Sequence, residues 1–85
     1  MKFESITGNN GNEISGPFLC RPDINEDVRG YFYESWNQRS FEQAVNKKID
    51  FVQDNESYSL LGVLRGLHYQ LDPQAQGKLL RVSSG

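Results

Sequence analysis

The chain has 85 residues, enough for one domain or part of one, and a chain this short buries only roughly 60–65% of the surface it exposes when unfolded. Hydrophobic residues are 36% of the total, so the core is expected to be thin, with ten aromatic rings supplying much of it. Nine Lys+Arg against eleven Asp+Glu give a net charge of −2, which leaves no basic face for nucleic acid and no acidic tail. No apolar run reaches the ~18 residues of a membrane helix. Met1-Lys2-Phe3-Glu4-Ser5 has no apolar stretch of the secretory kind, and Cys20 stands alone. Together these points predict a reducing, cytoplasmic location.

In chain order, residues 7 to 16 are rich in turn formers, and Asn10-Gly11 favours a tight hairpin turn. Phe18-Leu19-Cys20 is a short apolar piece ended by Pro22, and Asp23 to Asp27 reads as polar loop closed by Arg29-Gly30. Tyr31 to Trp36 is dense in aromatics and predicts a strand. One short helix is expected near 40–47. Ser40 is its cap, with Phe41, Ala44 and Val45 on one face. Phe51 to Ser57 reads as a strand running into a loop. Ser57 to Gln70 holds Leu60, Leu61, Val63, Leu64 and Leu67, the longest apolar concentration. Asp72-Pro73 predicts a turn before a final strand, Lys78 to Val82. A strand so close to Gly85 has nothing after it to cover it. The expectation is therefore an all-β chain cut inside a larger fold, with a small complete β-domain closed by a partner subunit as the alternative.

The residues that point to chemistry lie late in the chain. His68, the sole histidine, sits in Arg65-Gly66-Leu67-His68-Tyr69-Gln70, and Lys78 follows in Gln76-Gly77-Lys78. A neutral imidazole can remove a proton, while Arg and Lys can hold the negative charge that removal creates. In a regular strand Arg65 and His68 would point to opposite faces. Gly66 offers the positive-φ geometry that breaks the alternation, so a bulge or strand break is expected at Gly66-Leu67.

Four blocks together resemble dTDP-4-dehydrorhamnose 3,5-epimerases. They are Arg29-Gly30-Tyr31-Phe32-Tyr33-Glu34, Phe51-Val52-Gln53-Asp54-Asn55, Val63 to Gln70, and Pro73 to Val82. The resemblance runs from about Arg21 to Val82. It implies the amino-terminal part of a single cupin-like jelly-roll barrel spanning residues 1–85, and epimerisation of dTDP-4-dehydro-6-deoxy-D-glucose at C3 and C5 in dTDP-L-rhamnose biosynthesis. By the same resemblance His68 is the catalytic base and Lys78 stabilises the enolate. Arg65 contacts the substrate near the sugar and diphosphate. Arg29, Glu34 and Gln53 hold the nucleotide, and Phe32 and Asn55 line the same region. No cofactor and no metal are implied, and the expected assembly is a homodimer. Where the family usually carries an aromatic ring, this chain has Asn25. The acidic tyrosine and the carboxylate that orients the base are expected beyond Gly85.

Taken singly, these residues carry blander meanings. Lys78 fits the shielding of a strand's edge, Arg29 a solvated turn residue, and Gln53, Asp54 and Asn55 a simple turn. Tyr31, Tyr33 and Trp36 fit a core or a subunit interface. Three other functions stay open on the same scaffold: an epimerase of one carbon only, a 3,4-ketoisomerase, and a non-catalytic sugar-nucleotide-binding or structural β-module.

Overall fold

The computed structural model describes all 85 residues, as two compact units, Met1–Gln53 and Asp54–Gly85. Regular structure is confined to the first: β1 (Lys2–Thr7), β2 (Glu13–Arg21), β3 (Ile24–Asp27), β4 (Gly30–Tyr33) and α1 (Gln38–Val45). The strands make two antiparallel sheets of two strands each, β1 with β2 and β3 with β4. The chain is thus mostly strand with one short helix where it is regular at all.

The first hairpin forms where Asn10-Gly11 places it. Gly11 adopts φ +80°, a conformation costly for any residue with a Cβ, and its N–H bonds Gly8 O at 3.0 Å. Asn10 Oδ1 accepts from Asn12 N at 3.0 Å and tightens the same turn. Pairing then runs from Thr7 opposite Glu13 to Lys2 opposite Arg21, with one irregularity. Ile6 faces Ile14 but Ser5 faces Phe18, so Ser15, Gly16 and Pro17 are looped out of β2. Proline has no N–H to give to a ladder, and Gly16 at φ +113° lets the backbone leave and rejoin. Lys2 lies opposite Arg21, a like-charged pair, and Arg21 turns aside to Glu4, its Nε 3.1 Å from both carboxylate oxygens. The terminal amine of Met1 bonds Asp23 Oδ2 at 2.5 Å, tying the start of β1 to the segment before β3.

The expected loop from Asp23 to Asp27 is instead largely a strand: Ile24 to Asp27 pairs residue for residue with Tyr33 to Gly30. The cause is the two-residue turn at Val28-Arg29, which Asp27 stabilises by accepting Arg29 N at 2.8 Å on Oδ1. Once the turn reverses the chain, the polar residues before it lie beside the aromatic strand and complete its hydrogen bonds. The aromatic strand itself ends at Tyr33, short of the expected Trp36.

The helix runs two residues ahead of its expected position, because its cap is Asn37 and not Ser40. Asn37 is extended at φ −149° and accepts Ser40 N at 3.0 Å on Oδ1. Asn46, at φ +51°, ends it in the left-handed conformation, and Lys47 N closes the last turn on Glu42 O at 3.2 Å. Phe41, Ala44 and Val45 are half-buried, the face expected of them. Glu42 Oε1 accepts Ile49 N at 3.2 Å, and Gln38 Nε2 donates to Glu42 Oε1 at 3.1 Å and to Asp50 Oδ1 at 3.2 Å. These bonds fold residues 49 and 50 back onto the helix.

Four rings form the centre of this unit. Phe41 lies 6.4 Å from Phe3, 5.0 Å from Trp36 and 5.7 Å from Phe51, and Trp36 meets Phe51 edge-on at 5.4 Å. Tilted and edge-on contacts at such distances suit the ring quadrupoles. No side chain anywhere in the chain is fully buried, so this cluster stands in for the thin core.

Beyond Gln53 the expected strands are absent. Neither Phe51 to Ser57, nor Ser57 to Gln70, nor Lys78 to Val82 is paired, and every residue from Phe51 to Gly85 is exposed. A strand is a pairing and not a property of one segment; these segments carry the alternation but meet no partner edge among the 85 residues. What order exists is local. Gly62 at φ +83° makes a turn closed by Val63 N on Leu60 O at 3.2 Å, splitting the apolar run. The turn expected at Asp72-Pro73 is present, closed by Gln74 N on Leu71 O at 2.9 Å.

Candidate functional site

The expected site residues fall into two groups, one in each compact unit. Arg29, Phe32, Glu34 and Gln53 belong to the first. Arg29 is the second residue of the β3–β4 turn. Asp27 holds it by the backbone bond and by a two-point ion pair, with Arg29 Nε 3.1 Å and Nη2 2.5 Å from Asp27 Oδ2. The Arg29 guanidinium, and after it the Arg29 backbone N–H, holds the Asp27 carboxyl below the usual carboxylate range. The Asp27 carboxylate in turn pushes the Arg29 guanidinium up. Asp23 is lowered in the same way, first by its hydrogen bond to the Met1 amine and then by that group's charge.

Phe32 lies on β4 directly opposite Asn25, and its ring is 75% exposed. It points away from the Tyr31 and Tyr33 rings, which stack at 5.9 Å and lie on the other face by strand alternation. An exposed aromatic without an aromatic neighbour across the hairpin offers a flat face for a base. Asn25 leaves that face open where a second ring could stand. Glu34 follows just after β4 and is exposed.

In the second unit Asn55, Arg65, His68 and Lys78 are all exposed. Arg65 reaches back across the Leu61-Gly62 turn, its Nη2 donating to Tyr58 O at 3.1 Å. Gly66 adopts φ +125°, the positive φ expected of it, although no ladder runs on either side. The regular alternation that would send Arg65 and His68 to opposite faces is therefore missing. His68 and Lys78 make no hydrogen bond or ion pair, which leaves the imidazole and the ammonium open to a ligand. No group of three His, Cys, Asp or Glu side chains is assembled that could hold a metal ion.

Asp27, which holds Arg29 in the turn, was not singled out by reading the sequence. Its signal was the spacing Asp27-Val28-Arg29-Gly30, in which an Asx residue two before a turn residue can bond its backbone N–H. One open depression at the β2 irregularity is lined by Ser5, Glu13, Ser15 and Phe18, among others, and includes none of the expected site residues.

Comparison with known proteins bears on the family of the chain as a whole. A family model described as dTDP-4-dehydrorhamnose 3,5-epimerase matches residues 11–85. A protein of that name from Shigella flexneri is 56% identical over 73 residues, covering 86% of this chain and 40% of the relative. Another from Pseudomonas aeruginosa is 57% identical over 72 residues, covering 85% of this chain and 39% of the relative. A third, from Sinorhizobium fredii, is 48% identical over 86 residues, covering 100% of this chain and 40% of the relative. The chain thus spans about two fifths of the length of these relatives. No solved structure matches it significantly. With its matched span including the hairpin turn of Arg29, the Arg65-to-Gln70 block and Lys78, the chain belongs to the dTDP-4-dehydrorhamnose 3,5-epimerase family.

Proposed function

We propose that the protein epimerises dTDP-4-dehydro-6-deoxy-D-glucose at C3 and C5, a step of dTDP-L-rhamnose biosynthesis, as a cytoplasmic homodimer that uses no cofactor or metal. The observation that carries this is the family match across residues 11–85, which takes in every proposed site residue. The strand-rich first unit is compatible with a cupin-like jelly roll, of which both compact units would form the amino-terminal part.

The chemistry follows from the acidity of the substrate. A C–H beside a ketone is a weak acid, so a base alone leaves a carbanion too costly to form. His68 takes the proton at C3, and in a second round at C5. The electron pair moves onto the C4 oxygen, and the Lys78 ammonium stabilises the resulting enolate. Arg65 holds the substrate near the sugar and diphosphate. Arg29, Glu34 and Gln53 hold the nucleotide, with Phe32 and Asn55 beside it. Inversion then requires a proton delivered from the opposite face, the part that the family resemblance gives to a tyrosine.

Turnover in deuterium oxide tests this. Deuterium appearing at both C3 and C5 of the 4-keto sugar nucleotide is the expected result. Exchange at one carbon would replace the proposal with a single-carbon epimerase. Binding without exchange would replace it with a sugar-nucleotide-binding module.

A further inference from the structure

Arginine carries five N–H donors in a fixed planar fork, and the manner of holding it decides which of them face a ligand. In the β3–β4 turn the Nε–Nη2 edge of Arg29 is occupied by Asp27, with Nε 3.3 Å from Oδ1 and 3.1 Å from Oδ2, and Nη2 2.5 Å from Oδ2. Both hydrogens of Nη1 and one of Nη2 stay open, and the Arg29 side chain is 86% exposed. The open edge presents two parallel N–H groups, a match for two oxygens of a phosphate.

We infer that Asp27 is a positioning residue that grips one edge of Arg29 and so aims the opposite edge at the diphosphate of a bound nucleoside diphosphate sugar. This rests on the nucleotide-holding role proposed for Arg29. The division of labour within Asp27 supports it. A turn needs only the acceptor that Oδ1 gives to Arg29 N at 2.8 Å, and an asparagine would supply that. The second carboxylate oxygen is directed wholly at the guanidinium. A long side chain on a two-residue turn is otherwise free to sample many rotamers, and fixing it beforehand removes that entropic cost from binding.

The test uses the intact protein with Asp27→Asn, Asp27→Ala, Arg29→Ala and the double variant Asp27→Asn/Arg29→Ala. It measures dTDP affinity by calorimetry together with kcat and KM for the 4-keto sugar nucleotide. Asp27→Asn keeps the backbone acceptor and loses the ionic grip, so it is expected to weaken dTDP binding about tenfold and to raise KM while leaving kcat nearly alone. In the Arg29→Ala background the same change is expected to have no further effect. A purely structural role would spare Asp27→Asn and show itself only in Asp27→Ala. If Asp27→Asn binds dTDP like the parent, or more tightly, while Arg29→Ala binds weakly, the inference is overturned and the role of Arg29 stands. If Arg29→Ala binds normally, both fall together, and deuterium exchange at C3 and C5 still decides the proposed reaction. Should Asp27→Ala fail to fold, Asp27→Asn carries the comparison.

Discussion

Two side chains without protein partners, His68 and Lys78, are assigned the chemistry, and their removal should be felt differently. His68→Ala takes away the proton acceptor, and a loss of about 10²–10⁴ in kcat is expected. Lys78→Ala leaves the acceptor but not the enolate's counter-charge, and about 10²–10³ in kcat is expected to go. Calorimetry with dTDP should find both variants binding close to normally, since neither residue is assigned to the nucleotide. A second titratable feature lies at the turn. Asp27 has its folded-state pKa lowered by the Arg29 guanidinium and backbone N–H. Its contribution to the hairpin is therefore present above the unfolded carboxylate value of about 3.9 and is lost as pH falls through the lower, folded value. An NMR titration of the Asp27 carboxyl should find its midpoint below about 3.9 and see it return toward that value in Arg29→Ala. The assignment of base to His68 and of counter-charge to Lys78 came from their family blocks and stands as part of the proposal. Asp27 was not singled out, because what can be observed of it is its hold on a neighbour and not a reactivity of its own.

At the scale of elements, local chemistry decides what can be read. Asn10-Gly11 announces its hairpin because the turn conformation is a property of those two residues. The helix face is equally plain, since Phe41, Ala44 and Val45 fall on one side by spacing alone. Its start was less so: Asn37 and Ser40 are comparable caps, and the side chain that wins depends on where the chain leaves β4. Asn37→Ala is accordingly expected to destabilise the first unit by about 0.5–2 kcal/mol, and Ser40→Ala by much less. Thermal melts followed by Trp36 fluorescence would check the order, because that ring touches Phe41 on the helix. Strand β3 escaped notice for a different reason. Ile24-Asn25-Glu26-Asp27 has almost no intrinsic strand preference, and only its turn with Arg29 places it beside Tyr31 to Tyr33.

For the whole molecule the contrast is between a first unit with its own ring cluster and a second with no ring contact, whose bonds include two turns and that of Arg65. Leu61, Leu64 and Leu67 are 105%, 91% and 104% exposed, although their apolar pattern is the densest in the chain. Hydrogen exchange on the 85-residue chain should find protected amides in β1 to β4 and α1, and free exchange from Asp54 onward. Whether such segments pair depends on a partner edge, which no local reading can supply. The excursion of Ser15-Gly16-Pro17 has a bearing on solubility as well. It divides the outer rim of β2 into Glu13-Ile14 and Phe18 to Arg21, and each piece falls short of the six or so residues that stacked, fibre-like aggregates recruit. An unbroken version of the same strand would present neighbouring molecules with a continuous row of N–H and C=O groups; this one interrupts such growth at every copy.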